Sequence, residues 1–274
     1  MKRFPFLLLS VLMFFSLHIQ AQKEDRKPLT IGDIRTLHSN ILHEDRILNI
    51  YLPEKYDPSK SYPVIYLLDG TMNEDFLHIT GLVQFFNLMF QMPDFIVVGI
   101  ANVDRRRDFT FHTDLKDLKK SYPTTGHSAE FIQFIKEELQ PFISTNYKTT
   151  QTRYLIGQSL GGLLATEILL KEPQLFSHYL IVSPSLWWDN ESLLEKAKDI
   201  LQKQADLPLY VYIAVGKGED KIMIRDANEL KDILLKSGKK NLTLDYKLMT
   251  DDNHATILHN AIYQALLKLF PYKE

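Results

Sequence analysis

Ser159 stands in Gly157-Gln158-Ser159-Leu160-Gly161, a Gly-x-Ser-x-Gly pentapeptide with another glycine at 162. The apolar run Tyr154–Ile156 precedes it, and a helix-forming stretch follows until Pro173. A serine at a tight strand-to-helix turn is a nucleophile elbow. The turn strains the backbone and thrusts the hydroxyl above the helix N-terminus, where free amides and the helix dipole favour negative charge. On this reading Gly157 and Gly161 relieve side-chain collisions in the turn, and Gly162 lets the helix pack closely on the strand.

A serine hydroxyl is a weak nucleophile until a base takes its proton. In an elbow of this kind the acid and then the histidine follow the serine in the chain. His254, in Thr-Asp-Asp-Asn-His-Ala, comes after the last strand-like segment and opens the last helix, so it is the expected base. His259 lies one turn further on and reads as a surface or core-edge residue, and His178 precedes a strand at the opposite edge. The acid is expected beyond the penultimate strand, where Glu219 and Asp220 are adjacent. Glu219 is favoured and Asp220 is the alternative. Its task is to hold the imidazole in one tautomer and to stabilise the imidazolium. The expected oxyanion donors are the backbone N–H of Leu160 and that of Thr71, in the loop after Leu-Leu-Asp-Gly. Zinc chemistry finds no matching pattern: His-Glu-x-x-His does not occur, and His38 and His43 are wrongly spaced for one helical face. Neither a metal nor an organic cofactor is expected.

These groups need a scaffold that brings distant loops together. Residues 62–68, 95–100, 153–156, 179–183 and 210–215 are nearly continuous in Val, Ile, Leu and Tyr, as strands covered on both faces should be. Helical spacing appears between them. Residues 128–142 place Phe131, Phe134, Ile135, Leu139 and Phe142 on one stripe, with Ser128 as the expected N-cap. Residues 226–237 and 254–270 carry similar stripes, the former ending at Gly238. Alternation of this kind predicts a mostly parallel central sheet with helices on both faces. Residues 35–53 read as an antiparallel hairpin at its N-terminal edge, and residues 242–248 alternate like a half-exposed edge strand.

The first 21 residues have a basic start (Lys2, Arg3), an apolar stretch over Phe4–Leu17 and a small residue at Ala21, the pattern of a secretory signal peptide. Pro5, Ser10 and Ser16 interrupt that stretch, which is short for a bilayer span. The expected organisation is a signal peptide over 1–21, a lead-in over 22–34 and one catalytic domain over 35–274. That implies a periplasmic or secreted protein without stable membrane insertion. No cysteine occurs, which excludes a thiol nucleophile and disulfides. The formal charge of −2, or −4 without Lys2 and Arg3, gives no footprint for nucleic acid.

Taken with the elbow, the segments YPVIYLLDG, DRRRDFT, TTGHSAEFIQFIKEELQPFI, RYLIGQSLGGLLA, LFSHYLIVSPSLWW and VGKGE resemble, in order, an esterase family of α/β-hydrolases. This family includes ferric-enterobactin esterases, S-formylglutathione hydrolases, feruloyl and acetylxylan esterases, and mycolyltransferases. The resemblance spans about residues 35–270, and SPSLWW with RRRDFT is most similar to the siderophore-esterase branch. It implies an α/β-hydrolase fold and a serine esterase acting through an acyl-enzyme on a small-molecule or glycan-linked ester, with a siderophore ester as one candidate. It also implies that Arg105, Arg107 and Trp187 or Trp188 line the substrate pocket, while on the residues alone a salt bridge of the arginines to Asp104 or Asp108, and packing of the tryptophans against the sheet, stay open. Gln158 departs from the histidine common before the nucleophile. Phe111 departs from a proline near the Arg-Asp segment. Carbohydrate esterase, acyltransferase and silent binding protein stay open as alternatives, as does the oligomeric state.

Overall fold

The computed structural model describes residues 26–272, so the expected signal peptide lies outside the described residues. Residues 26–30 carry no regular structure. Beyond them the chain builds one eight-stranded sheet in the order β1-β2-β4-β3-β5-β6-β7-β8. Its strands are β1 (Asp33–Ser39), β2 (Glu44–Tyr51), β3 (Tyr62–Leu67), β4 (Ile96–Ile100), β5 (Thr149–Gln158), β6 (His178–Val182), β7 (Leu209–Gly216) and β8 (Leu242–Met249). Only β2 runs against its neighbours, pairing antiparallel with both β1 and β4. Every other pairing is parallel. The expected N-terminal hairpin is therefore β1–β2, and β8 is the expected half-exposed edge.

The helices are α1 (Phe76–Phe90), α2 (Arg105–Phe109), α3 (Lys116–Ser121), α4 (Ser128–Phe134), α5 (Gln140–Asn146), α6 (Leu160–Lys171), α7 (Ser192–Lys203), α8 (Lys221–Leu235) and α9 (Ile257–Leu269). One core layer joins α2 and α4–α8 to one face of the sheet. The other joins α1 and α9 to the opposite face. Every residue of β4 and β7 is buried, which is why these strands read as unbroken apolar runs.

The stripe over residues 128–142 is not one regular helix. Ile135–Leu139 forms a π-turn between α4 and α5, just before Pro141, whose missing N–H cannot continue the α-helical ladder. The turn keeps Phe131, Phe134, Ile135 and Leu139 buried and leaves Phe142 half-exposed. Ser128 is the first helical residue rather than the cap. His127 precedes it without a side-chain cap bond, and the Ser128 hydroxyl is buried. The last helix also begins later than its stripe suggested, with Thr256 at its cap, so His254 belongs to the preceding loop.

Parallel strands send their following loops to the same sheet edge. Here Leu68–Asp75, Ala101–Asp104, Ser159, Ser183–Ser185, Lys217–Asp220 and Thr250–Thr256 all leave the carboxyl ends of strands.

Candidate active site

Ser159 joins β5 to α6 with φ 59° and ψ −118°, a conformation rarely open to a residue with a Cβ. Three backbone bonds fix it. Its N–H donates to Val182 O at 3.1 Å, and its carbonyl accepts from Leu163 N at 2.9 Å and Ser185 N at 3.0 Å. The glycines divide their work differently from the expectation. A Cβ on Gly157 would meet the carbonyl carbon of Gly161 at 2.6 Å, and one on Gly162 would meet Pro184 Cα at 2.9 Å and Val182 O at 3.0 Å. A Cβ on Gly161 would meet nothing nearer than 3.4 Å. The elbow thus needs Gly157 for the turn and Gly162 for seating α6 against the β6 exit; Gly161 contributes less.

Glu219 and His254 meet. The imidazole Nδ1 lies 2.7 Å from Glu219 Oε2; the carboxylate is wholly buried and the imidazole about half-exposed. The other carboxylate oxygen accepts from Ser183 Oγ at 2.5 Å and Gly216 N at 2.7 Å. Burial alone would raise this carboxyl's pKa, but the bonds from His254, Ser183 and Gly216 outweigh it and hold the group below its ordinary value. A carboxylate at Nδ1 makes that nitrogen the donor and leaves Nε2 free to accept a proton. Asp220 is occupied elsewhere. It caps α8 by accepting from Ile222 N at 3.2 Å, and the helix starts five residues before the stripe that marked it in the sequence.

A ring of contacts ties the elbow to the imidazole loop. Ser159 Oγ lies 3.3 Å from Ser185 Oγ. From the same β6 exit, Ser183 holds Glu219, and Glu219 holds His254. The Gln158 side-chain amide closes the ring by donating to the His254 carbonyl at 2.5 Å. In this resting arrangement the Ser159 hydroxyl is bonded to Ser185 rather than to the imidazole. Sequence reasoning gave no role to Ser183, Ser185 or Gln158. The only signals were Gln158 as a departure from the family pattern and the two serines within SPSLWW.

Of the expected oxyanion donors, Leu160 opens α6, where first-turn amides have no intrahelical acceptor. Thr71 lies in the loop after β3, and its N–H points at Glu74 Oε2 over 3.4 Å.

The expected substrate-binding residues separate. Arg105 is engaged inside the protein: Nε and Nη2 form a fork onto the Asp69 carboxylate at 2.6 and 2.9 Å, and Nη2 also reaches Gln158 O at 3.2 Å. It braces the β3 exit against the elbow. Arg107 grips Glu44 at 2.6 and 3.0 Å and Asp108 at 2.7 Å, in a network completed by the fully buried Arg46. Trp188 is fully buried and donates its indole N–H to Phe111 O at 3.0 Å, which leaves it no face for a ligand. Trp187 is half-buried and borders a cavity of about 690 Å³ whose lining is mixed: Leu115, Leu118, Ile222 and Met223 with the polar Lys116, Asp117, Asn190 and Asp220. His178 is stacked on Tyr154 at 4.0 Å at the amino end of β6, and burial pushes its pKa down to about 4. His259 is half-buried against His78, with ring centroids 3.6 Å apart. Among the described residues no helix is long and apolar enough to cross a membrane.

This architecture recurs in known proteins. A family model described as "Putative esterase" matches residues 39–263. The ferri-bacillibactin esterase BesA of Bacillus subtilis (strain 168) is 29% identical over 265 residues, covering 85% of this chain and 88% of its own. An IroE-like serine hydrolase from Shewanella oneidensis superposes with a TM-score of 0.80 at 32% identity, over 87% of this chain and 80% of that one. The BES protein from Bacillus cereus gives a TM-score of 0.79 at 29% identity, over 92% and 99%. By the family match and its eight-stranded sheet, the chain belongs to this esterase family, has the α/β-hydrolase fold and is an ester-hydrolysing enzyme.

Proposed function

We propose that this enzyme is an exported serine esterase whose triad is Ser159, His254 and Glu219, and that its substrate is a siderophore ester. The observation that carries the reading is the buried Glu219 carboxylate on His254 Nδ1 at 2.7 Å, joined through Gln158 to a strained serine at the same sheet edge. The substrate class comes from the relatives, one of which is named a ferri-bacillibactin esterase. Export rests on the basic and apolar character of residues 1–21.

In the proposed reaction the Ser159 hydroxyl leaves Ser185 and turns to His254. Its oxygen attacks the ester carbonyl while the proton passes to Nε2, and Glu219 stabilises the imidazolium that forms. The N–H groups of Leu160 and Thr71 receive the oxyanion, and Thr71 exchanges its long contact with Glu74 for the substrate oxygen. His254 then protonates the departing alcohol, leaving an acyl-serine. Water attacks that ester with His254 as base, releasing the acid and restoring the serine. The acyl portion enters the cavity beside Trp187, whose lining reaches Asp220, the residue after Glu219, and whose indole offers an aromatic face.

The test is a hydrolysis screen on p-nitrophenyl acetate, acetylated xylan, a feruloyl ester and enterobactin, run beside Ser159→Ala. Turnover is expected to be fastest on the siderophore ester and abolished by the substitution. Faster cleavage of either carbohydrate ester would transfer the substrate class. Activity surviving Ser159→Ala would remove the serine from its role. N-terminal sequencing of the protein recovered from the cell envelope or medium should begin near residue 22; an intact Met1 there contradicts cleavage after Ala21, and recovery only from the cytoplasm contradicts export.

A further inference from the structure

We propose that the outer face of α1 is a self-association surface on which a second copy of this chain packs, α1 against α1. The helix FLHITGLVQFFNLMF contains no Asp, Glu, Lys or Arg in its 15 residues. One side is spent on the core, with Phe76, Ile79, Thr80, Val83 and Phe86 buried. The other side exposes Leu77 (47%), Phe85 (41%), Leu88 (76%) and Met89 (50%).

Gly81 lies on the same outer stripe as Leu77, Phe85 and Leu88, at helical spacing. A mid-helix glycine weakens the helix, and this chain's own packing does not call for one. A Cβ built there meets nothing within 4 Å. Close approach of another helix backbone is the contact that a missing Cβ serves.

The occupant follows from charge and area. Two copies of an uncharged helix meet without like-charge repulsion, so the face is complementary to itself. An anionic membrane would call for Lys or Arg along the polar margins of such a helix, and the helix has none. Taking about 200 Å² for each fully exposed side chain, the four large residues offer roughly 400 Å² of apolar surface per copy, about 800 Å² for the pair; this is below the ~1,000 Å² of a stable interface, so the association is a weak, reversible one. Exposed Gln84 on the same helix extends the patch, and His78, whose ring rests on His259 of α9, marks its margin. A two-fold crossing near Gly81 and Gln84 presents identical patches to each other, as an isologous dimer requires.

Sedimentation equilibrium of the purified protein up to roughly 100 µM is expected to show a monomer–dimer equilibrium. Leu88→Glu should weaken association at least about 10-fold, with esterase activity and circular dichroism unchanged. Gly81→Ala should also weaken association while raising the monomer's melting temperature, a pairing that a merely structural glycine would not give. Because the chain has no cysteine, Gln84→Cys should yield a disulfide-linked dimer under copper–phenanthroline oxidation. A protein that stays monomeric throughout overturns the proposal, whether or not it binds vesicles. So does a dimer that ignores both Leu88→Glu and Gly81→Ala, or one whose Gln84→Cys variant does not cross-link.

Discussion

Replacing Glu219 by glutamine removes one charge from a fully buried position while keeping its shape. In the native site one carboxylate oxygen accepts from Ser183 Oγ and Gly216 N, and the other accepts from His254 Nδ1. Glutamine has a single acceptor oxygen. The two donors on the first side claim it, so the amide NH2 must face Nδ1. Two N–H groups cannot share that contact, so the imidazole has to present Nδ1 as an acceptor. Its proton then sits on Nε2, the nitrogen that must receive the Ser159 proton. A wrong tautomer of this kind costs on the order of 10³- to 10⁴-fold in kcat, about 4–5.5 kcal/mol of transition-state stabilisation at roughly 1.36 kcal/mol per decade. KM should change by less than about 3-fold, since no substrate contact is lost. The assay is steady-state hydrolysis of p-nitrophenyl acetate, with thermal unfolding followed alongside. Asp220→Ala is the control: it loses the α8 cap, so about 1 kcal/mol of stability should go with kcat within about 2-fold of native, and because Asp220 borders the Trp187 cavity any further effect should fall on KM. A Glu219→Gln enzyme keeping more than about a tenth of its kcat, or a larger loss in Asp220→Ala, refutes the reasoning.

Burial raises the Asp75 carboxyl to about 6, with Asp69 and Glu74 adding and Arg105 opposing. The folded chain therefore holds a proton that the unfolded chain releases, and stability falls as pH rises from about 4 to 6. Asp75→Asn should be neutral near pH 4 and stabilising by on the order of 1–2 kcal/mol near pH 8, discounted for partial exposure; equal gains in urea unfolding at both pH values contradict this. Arg105→Ala strips the nearly buried Asp69 of its partner, so a loss of about 2–3 kcal/mol is expected, with kcat falling alike on neutral and anionic esters. A KM increase confined to anionic esters would instead make Arg105 a substrate clamp. Gly162→Ala should cost about 1–3 kcal/mol through collision with Pro184 and Val182, and Gly161→Ala less; the reverse order in chemical unfolding contradicts the division of labour at the elbow.

The parallel strands were legible because burial on both faces leaves no polar position to break their apolar runs, and β8 because one exposed face makes it alternate. The elbow was legible because its glycines and its strand-turn-helix setting are local. What escaped the sequence was long-range or masked. Helix α1 is apolar on its exposed side as well as its buried one, so no single stripe announces it. An internal salt bridge of Arg105 or Arg107 to Asp104 or Asp108 was legible in the sequence, and Arg107 does reach Asp108, but their other partners Asp69 and Glu44 lie 36 and 63 residues away. Trp188 looks like a ligand platform until the fold buries it. Glu219 and Asp220 cannot be separated by order alone. Separation came from the start of α8, which claims Asp220 as its cap and leaves Glu219 facing the imidazole.

The central claim is that the hydroxyl at 159 becomes covalently acylated with help from His254. A fluorophosphonate probe with peptide mapping by mass spectrometry tests it most directly. The expected result is one adduct on the Ser159 peptide, absent in Ser159→Ala and formed at least about 100-fold more slowly in His254→Ala. An adduct on another residue, or a labelling rate indifferent to His254, would contradict it.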